Sequence, residues 1–160
     1  MDEVGGQVDT ARGYAMAPRR MTELGRDEAM RLLATTSLGR VVFTDRALPA
    51  IRPVNHVVDG DDVIVRLHSG MALEAMVAPD DGSAVVVAYE ADVIDQDTHL
   101  GWSVVVTGYA RLVADRDELD WYEKALRPWV AGRMDAALRI RPDLVTGFRL
   151  DAAPSSPDRG

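Results

Sequence analysis

The sequence predicts a mainly β protein, a small barrel of about six to seven antiparallel strands with flanking helices. Three observations predict it. Five strand-sized stretches rich in Val and Ile, each bounded by turn residues, follow one another between residues 39 and 113. Asp59-Gly60-Asp61 separates two of them with the chemistry of a tight hairpin. Only two longer stretches carry helical periodicity, so most of the chain has to be accommodated in sheet. In 160 residues, closing such a sheet on itself is the most economical way to remove exposed strand edges.

Taken in order, residues 1–20 and 151–160 lack periodicity and read as disordered tails, leaving 21–150 as one folded unit. A first helix is predicted over Arg26–Ala34. Gly25 serves as its N-cap, Asp27 and Glu28 sit at its positive end, and Ala29, Leu32 and Leu33 share a face. The predicted strands are Gly39–Thr44, Ala50–Val58, Asp62–His68, Ser83–Glu90 and Ser103–Val113. In the third of these, Val63, Val65 and Leu67 alternate with Ile64, Arg66 and His68, giving one apolar and one mixed face. A second helix over Asp117–Leu126 places Leu119, Tyr122 and Leu126 together. Two short strands, Leu138–Ile140 and Val145–Leu150, end the fold, with Pro142-Asp143 as the turn between them.

Composition narrows the function. Hydrophobic residues at 47% and charged residues at 28% are the balance of an ordinary globular domain. A net charge of −8 argues against a nucleic-acid partner. Lys124 is the sole lysine, so an anionic ligand has to be held by Arg, backbone N–H or hydroxyl groups. With no cysteine, neither disulfides nor thiolate metal sites are available. No apolar run is long enough to cross a bilayer and no export signal opens the chain, so a cytoplasmic protein is expected.

Nucleophile elbows, dinucleotide fingerprints, P-loops and HExxH pairs are absent from the sequence. His56, His68 and His99 lack ligand spacing, so no metal site is assigned. The acidic stretch with Glu90, Asp92, Asp95 and Asp97 is expected to be a solvated loop. Four features remain. Ile51-Arg52-Pro53-Val54-Asn55-His56 puts a proline inside a strand, which requires an edge, a bulge or an opening toward a ligand. Leu67–Leu73 runs from a strand end into a short helical stretch whose backbone N–H groups can cradle an anion. Trp102 in Gly101-Trp102-Ser103 either stacks on a planar ligand or anchors the barrel end. Arg127–Arg133 combines Trp129 with two arginines, suited to an anion, a π-system or a subunit contact.

In this order, Ser37-Leu38-Gly39-Arg40-Val41, Pro53-Val54-Asn55 with Asp59-Gly60-Asp61, Gly101–Ala110, Pro128-Trp129 and Ile140…Thr146-Gly147 resemble the pyridoxamine 5′-phosphate oxidase-like, or FMN-binding split-barrel, proteins. The small actinobacterial branch is the most similar, and the likeness spans residues 22–150. The resemblance implies a split-barrel homodimer that holds FMN across its subunit interface and acts on a small-molecule substrate. The flavin would run beside Arg52, Pro53, Val54 and Asn55, with its phosphate near His68, Ser69, Met71 and Ala72. Trp102 and Trp129 of the second subunit would close the pocket.

The flavin would supply the hydride chemistry. No catalytic side chain is assigned. One departure stands out: many relatives carry Gly-Thr-Lys-Leu where this chain has Gly70-Met71-Ala72-Leu73. Losing a charge-assisted contact of that kind weakens binding by ~1.5–3 kcal/mol, which leaves Arg52, Arg66, His68 or Ser69 to compensate. The alternative is a non-catalytic barrel that binds a deazaflavin, haem or another planar anion, or no cofactor at all.

Overall fold

The computed structural model describes residues 18–68, 72–77, 83–126, 134 and 136–153. Side-chain alternation shows where the core lies. Along β6 (Gly101–Leu112), Trp102, Val104, Val106, Gly108 and Ala110 are buried, while the residues between them are not. The same period places Val41 and Phe43 of β2 (Leu38–Asp45) and Val87, Tyr89 and Ala91 of β5 (Val85–Ile94) inside. With β1 (Arg19–Glu23), β3 (Leu48–Asp59), β4 (Asp62–Leu67) and β7 (Ala136–Ala152), the order is β1-β7-β4-β3-β2-β5-β6, every pairing antiparallel. A further β6–β7 ladder joins the ends. Strands β2 to β7 therefore close into a barrel and β1 is appended to β7.

Among the described residues three helices accompany the barrel: α1 (Arg26–Leu33), α2 (Ala72–Val77) and α3 (Arg116–Ala125). Ala29 and Leu33 of α1 are fully buried in the barrel core. Burying a leucine side chain of this kind contributes about 1.5–3 kcal/mol. The Asp115 carboxylate caps α3 by accepting from the Glu118 N–H at 2.9 Å, as its place before the first turn dictates. The α3 face forms a second apolar cluster, in which Tyr122 and Leu126 pack on Ile64, Val113 and Ala137.

Three expectations need correcting. Pro142-Asp143 is no turn, because β7 runs unbroken on both sides of it. Gly108 pairs with Pro142 and Thr107 with Leu144, so Asp143 is the extra residue of a β-bulge. The ladder to β6 continues on either side of the bulge and keeps the strand extended. A Cβ at Gly108 would overlap the Arg141 carbonyl, so only glycine admits this approach.

Residues 19, 20, 151 and 152 are strand and not tail, since Arg19 pairs with Ala152 and Arg20 with Asp151. β1 lacks apolar alternation because it lies at an edge, with Met21 65% exposed, so its sequence carried no strand signal. Finally, Glu90 and Asp92 belong to β5 and not to a loop, and both meet Arg40 across the sheet. Asp95 does shape the turn beyond, accepting from the Thr98 N–H and hydroxyl at 2.7 and 2.8 Å. Those donors hold its carboxyl below the usual range.

Candidate functional site

Strand β3 is paired on one side with β2 from Leu48 to Asn55, but it meets β4 only from His56 to Asp59. Among the described residues, 48–54 therefore have one flank without a strand partner, and the backbone groups on that flank belong to no ladder there. Pro53 sits in this stretch, where its missing N–H disrupts no second pairing. Of the edge, bulge or opening that a proline within a strand requires, the structure shows an edge. Ile51, Arg52 and Pro53 are exposed there, whereas Val54 and Asn55 turn inward and are buried.

Beside Pro53 a cleft of about 680 Å³ opens between the end of α1 and the start of β2. Thr36, Ser37, Arg40, His56 and Asp92 line it together with Pro53. Two donors from β3 clamp its wall: Asn55 Nδ2 at 3.1 Å and the His56 N–H at 3.0 Å both reach the Ser37 carbonyl. Arg40 Nη1 binds Glu90 at 2.9 Å and Asp92 at 3.4 Å, so its charge is already met by two carboxylates. The side chain is half exposed and the pair contributes about 0–1 kcal/mol.

His56 is the buried element of the wall, at 3% exposure. Its Nε2 lies 2.9 Å from the Leu33 carbonyl, an acceptor only, so Nε2 carries the proton. Nδ1 is then the acceptor, and the buried Tyr89 hydroxyl donates to it at 2.5 Å. Burial lowers the His56 pKa, with the Leu33 carbonyl opposing the shift. Burial also raises that of Tyr89, and Glu90 adds to the rise. The pair is neutral at neutral pH.

The unfolded chain takes a proton on this histidine near pH 6.5, before the folded one does. Stability from His56 is thus present above about pH 6.5 and declines as pH falls through the folded pKa. Unfolding free energy measured across that window should fall toward acid, and a His56→Asn variant should flatten the slope. An unchanged slope would show that His56 titrates normally.

The other residues expected at the site are dispersed. Val63, Val65 and Leu67 of β4 enter the barrel core, and Ile64 enters the α3 cluster. Arg66 follows Ile64 on the α3 face by the two-residue period and is 1% exposed. It is not among the residues lining the cleft. His68 is exposed just past β4, and Ala72 is partly buried at the start of α2. Trp102 is 8% exposed and packs in the core of its own chain. Ser69, Met71 and Trp129 lie outside the described residues.

Sequence reasoning assigned no role to Ser37, Arg40, His56, Tyr89 or Asp92. One signal was available: Gly39 interrupts a strand, which marks a close approach. A Cβ on Gly39 would overlap the Tyr89 hydroxyl and the Glu90 carbonyl. Among the described residues no group of three or more His, Asp or Glu side chains converges as a metal site. No helix among them is long and apolar enough to cross a membrane.

A closed antiparallel barrel, with β3 partly unpaired beside a cleft, belongs to the flavin-binding split-barrel class of folds. Residues 25–149 match the pyridoxamine 5′-phosphate oxidase family, and the chain belongs to that family. It is 47% identical to the uncharacterised Mycobacterium tuberculosis protein Rv0080 over 146 residues, covering 91% of this chain and 96% of that one. Among solved structures, a Corynebacterium glutamicum protein assigned as a pyridoxamine 5′-phosphate oxidase is 30% identical with a TM-score of 0.68. That match covers 84% of this chain and 96% of the other. An FAD-binding protein of Mycobacterium smegmatis is also 30% identical, with a TM-score of 0.60 and coverage of 81% and 98%.

Proposed function

We propose that this chain is a flavin-dependent oxidoreductase that holds its flavin nucleotide between two copies of itself, against the open edge of β3. The observation that carries the reading is that unpaired edge, Arg52–Pro53, next to a cleft of about 680 Å³. The volume falls within the ~300–1,000 Å³ typical of small-molecule sites. The residues present suit a flavin ring. Free backbone groups can pair with the ring's polar edge, and Pro53 offers an apolar surface. Exposed Arg52 is the cation available to an anionic group.

A bound flavin would supply hydride or electron transfer. The chain's own part is to bind and orient it. The β3 edge sets register, and the neutral Tyr89–His56 pair keeps the wall rigid without placing a buried charge beside the ring.

The outer face supports the homodimer. Ile51, Val42, Ala88, Thr107 and Leu144 form one cross-strand row over five strands, exposed at both ends. Such an apolar row favours a self-complementary partner. The adjacent row contains Pro53, Arg40 and Glu90, so the cleft opens on the same face. A site there would be completed by the second copy.

Titration with FMN and with FAD should quench flavin fluorescence at micromolar concentration, and the stronger ligand identifies the cofactor. Arg52→Ala should weaken binding about tenfold through the lost charge-assisted contact. Sedimentation should give a dimer. No quenching by either flavin at near-millimolar concentration would overturn the reading.

A further inference from the structure

Two rows away from the flavin cleft on the outer face, the β6–β7 ladder sets Tyr109 opposite Arg141 and Arg111 opposite Arg139. Like charges directly across a strand pair oppose folding, so this arrangement is not explained by sheet stability. It is also out of keeping with a chain of net charge −8. These residues line a second cleft of about 760 Å³, which shares no lining residue with the first.

The three arginines are not equivalent. Arg139 is held by Asp62 at 3.0 Å, Glu118 at 3.1 Å and the Tyr122 hydroxyl at 2.9 Å, so its position is fixed and its charge met. Arg111 and Arg141 make no ion pair among the described residues, although Asp143 lines the same cleft. Tyr109 stands beside them with half its surface exposed. The Asp143 bulge interrupts the ladder at this point, as bulges beside binding sites do.

We propose that this cleft is a second ligand site, one that takes a phosphate-bearing small molecule with a planar ring. Arg111 and Arg141 would hold the phosphate through charge-assisted N–H donors, and Tyr109 would stack on the ring. Binding through these two charges would weaken with added salt.

Calorimetric titration of the full-length protein with inorganic pyrophosphate and with AMP tests both halves. Both should bind saturably at millimolar concentration or below. Arg111→Gln and Arg141→Gln should each weaken pyrophosphate at least about tenfold. Tyr109→Ala should weaken AMP and leave pyrophosphate unchanged. Flavin quenching measured on the same variants should not change, which separates this site from the flavin reading. Absent saturable binding by the unsubstituted protein, or equal binding by the arginine variants, would overturn the proposal.

Discussion

Replacing Gly39 by alanine is expected to destabilise the fold by about 2–5 kcal/mol, the sum of overpacking and a broken buried hydrogen bond. The added Cβ would collide with the Tyr89 hydroxyl and with the backbone carbonyl of Glu90. The carbonyl belongs to the β5 ladder and cannot retreat cheaply, so the tyrosine has to move. Moving it strips His56 Nδ1 of its donor in a position where no water replaces it. Urea unfolding measures the loss, and Tyr89→Phe isolates the hydrogen-bond share at about 1–3 kcal/mol. If Gly39→Ala costs less than about 1 kcal/mol, the Tyr89 ring has room to swing and the wall of the cleft is softer than the packing indicates.

Tyr122→Ala is expected to cost about 3–5 kcal/mol, as for other large aromatic deletions from a core. Tyr122 is 1% exposed and is the centre of the contact between α3 and the barrel. Its hydroxyl donates to Asp59 at 2.6 Å and accepts from Arg139 at 2.9 Å, so the α3 contact ends in a polar network tied to β4 and β7. Burial, and then the Asp59 contact, push the phenol up to about 12, which keeps it a donor at any physiological pH. Tyr122→Phe keeps the packing and should lose only about 1–2 kcal/mol. Equal losses in the two variants would mean that the network, and not the apolar cluster, holds α3.

Much of the barrel was legible because its strands are two-faced. The alternation in Val63–Leu67 and in Trp102–Ala110 places one side in the core, and the Asp59-Gly60-Asp61 turn joins neighbours without help from distant residues. The errors fell where local chemistry competes with long-range pairing. Pro142-Asp143 has the composition of a turn, yet the β6 ladder on both sides keeps it extended. Glu90 and Asp92 read as loop by charge, yet Arg40 on the neighbouring strand gives them partners.

The site divides the same way. A proline inside a strand points by itself to an edge, a bulge or an opening, because the missing N–H is a local fact. That Val54 and Asn55 face inward while Arg52 stays exposed depends on how far β4 runs alongside β3, which no local pattern encodes.

What the sequence by itself determined is the family, the mainly β class, the Asp59-Gly60-Asp61 hairpin and the interrupted strand at Pro53. Those depend on residue type and on spacing within one element. Only the tertiary structure decided that His56 and Tyr89 lock to each other and that Trp102 serves its own core. It also decided that Arg111, Arg139 and Arg141 gather on one face. These groupings come from strands far apart in the chain, brought into register by barrel closure. Their energy is realised only once the sheet has closed.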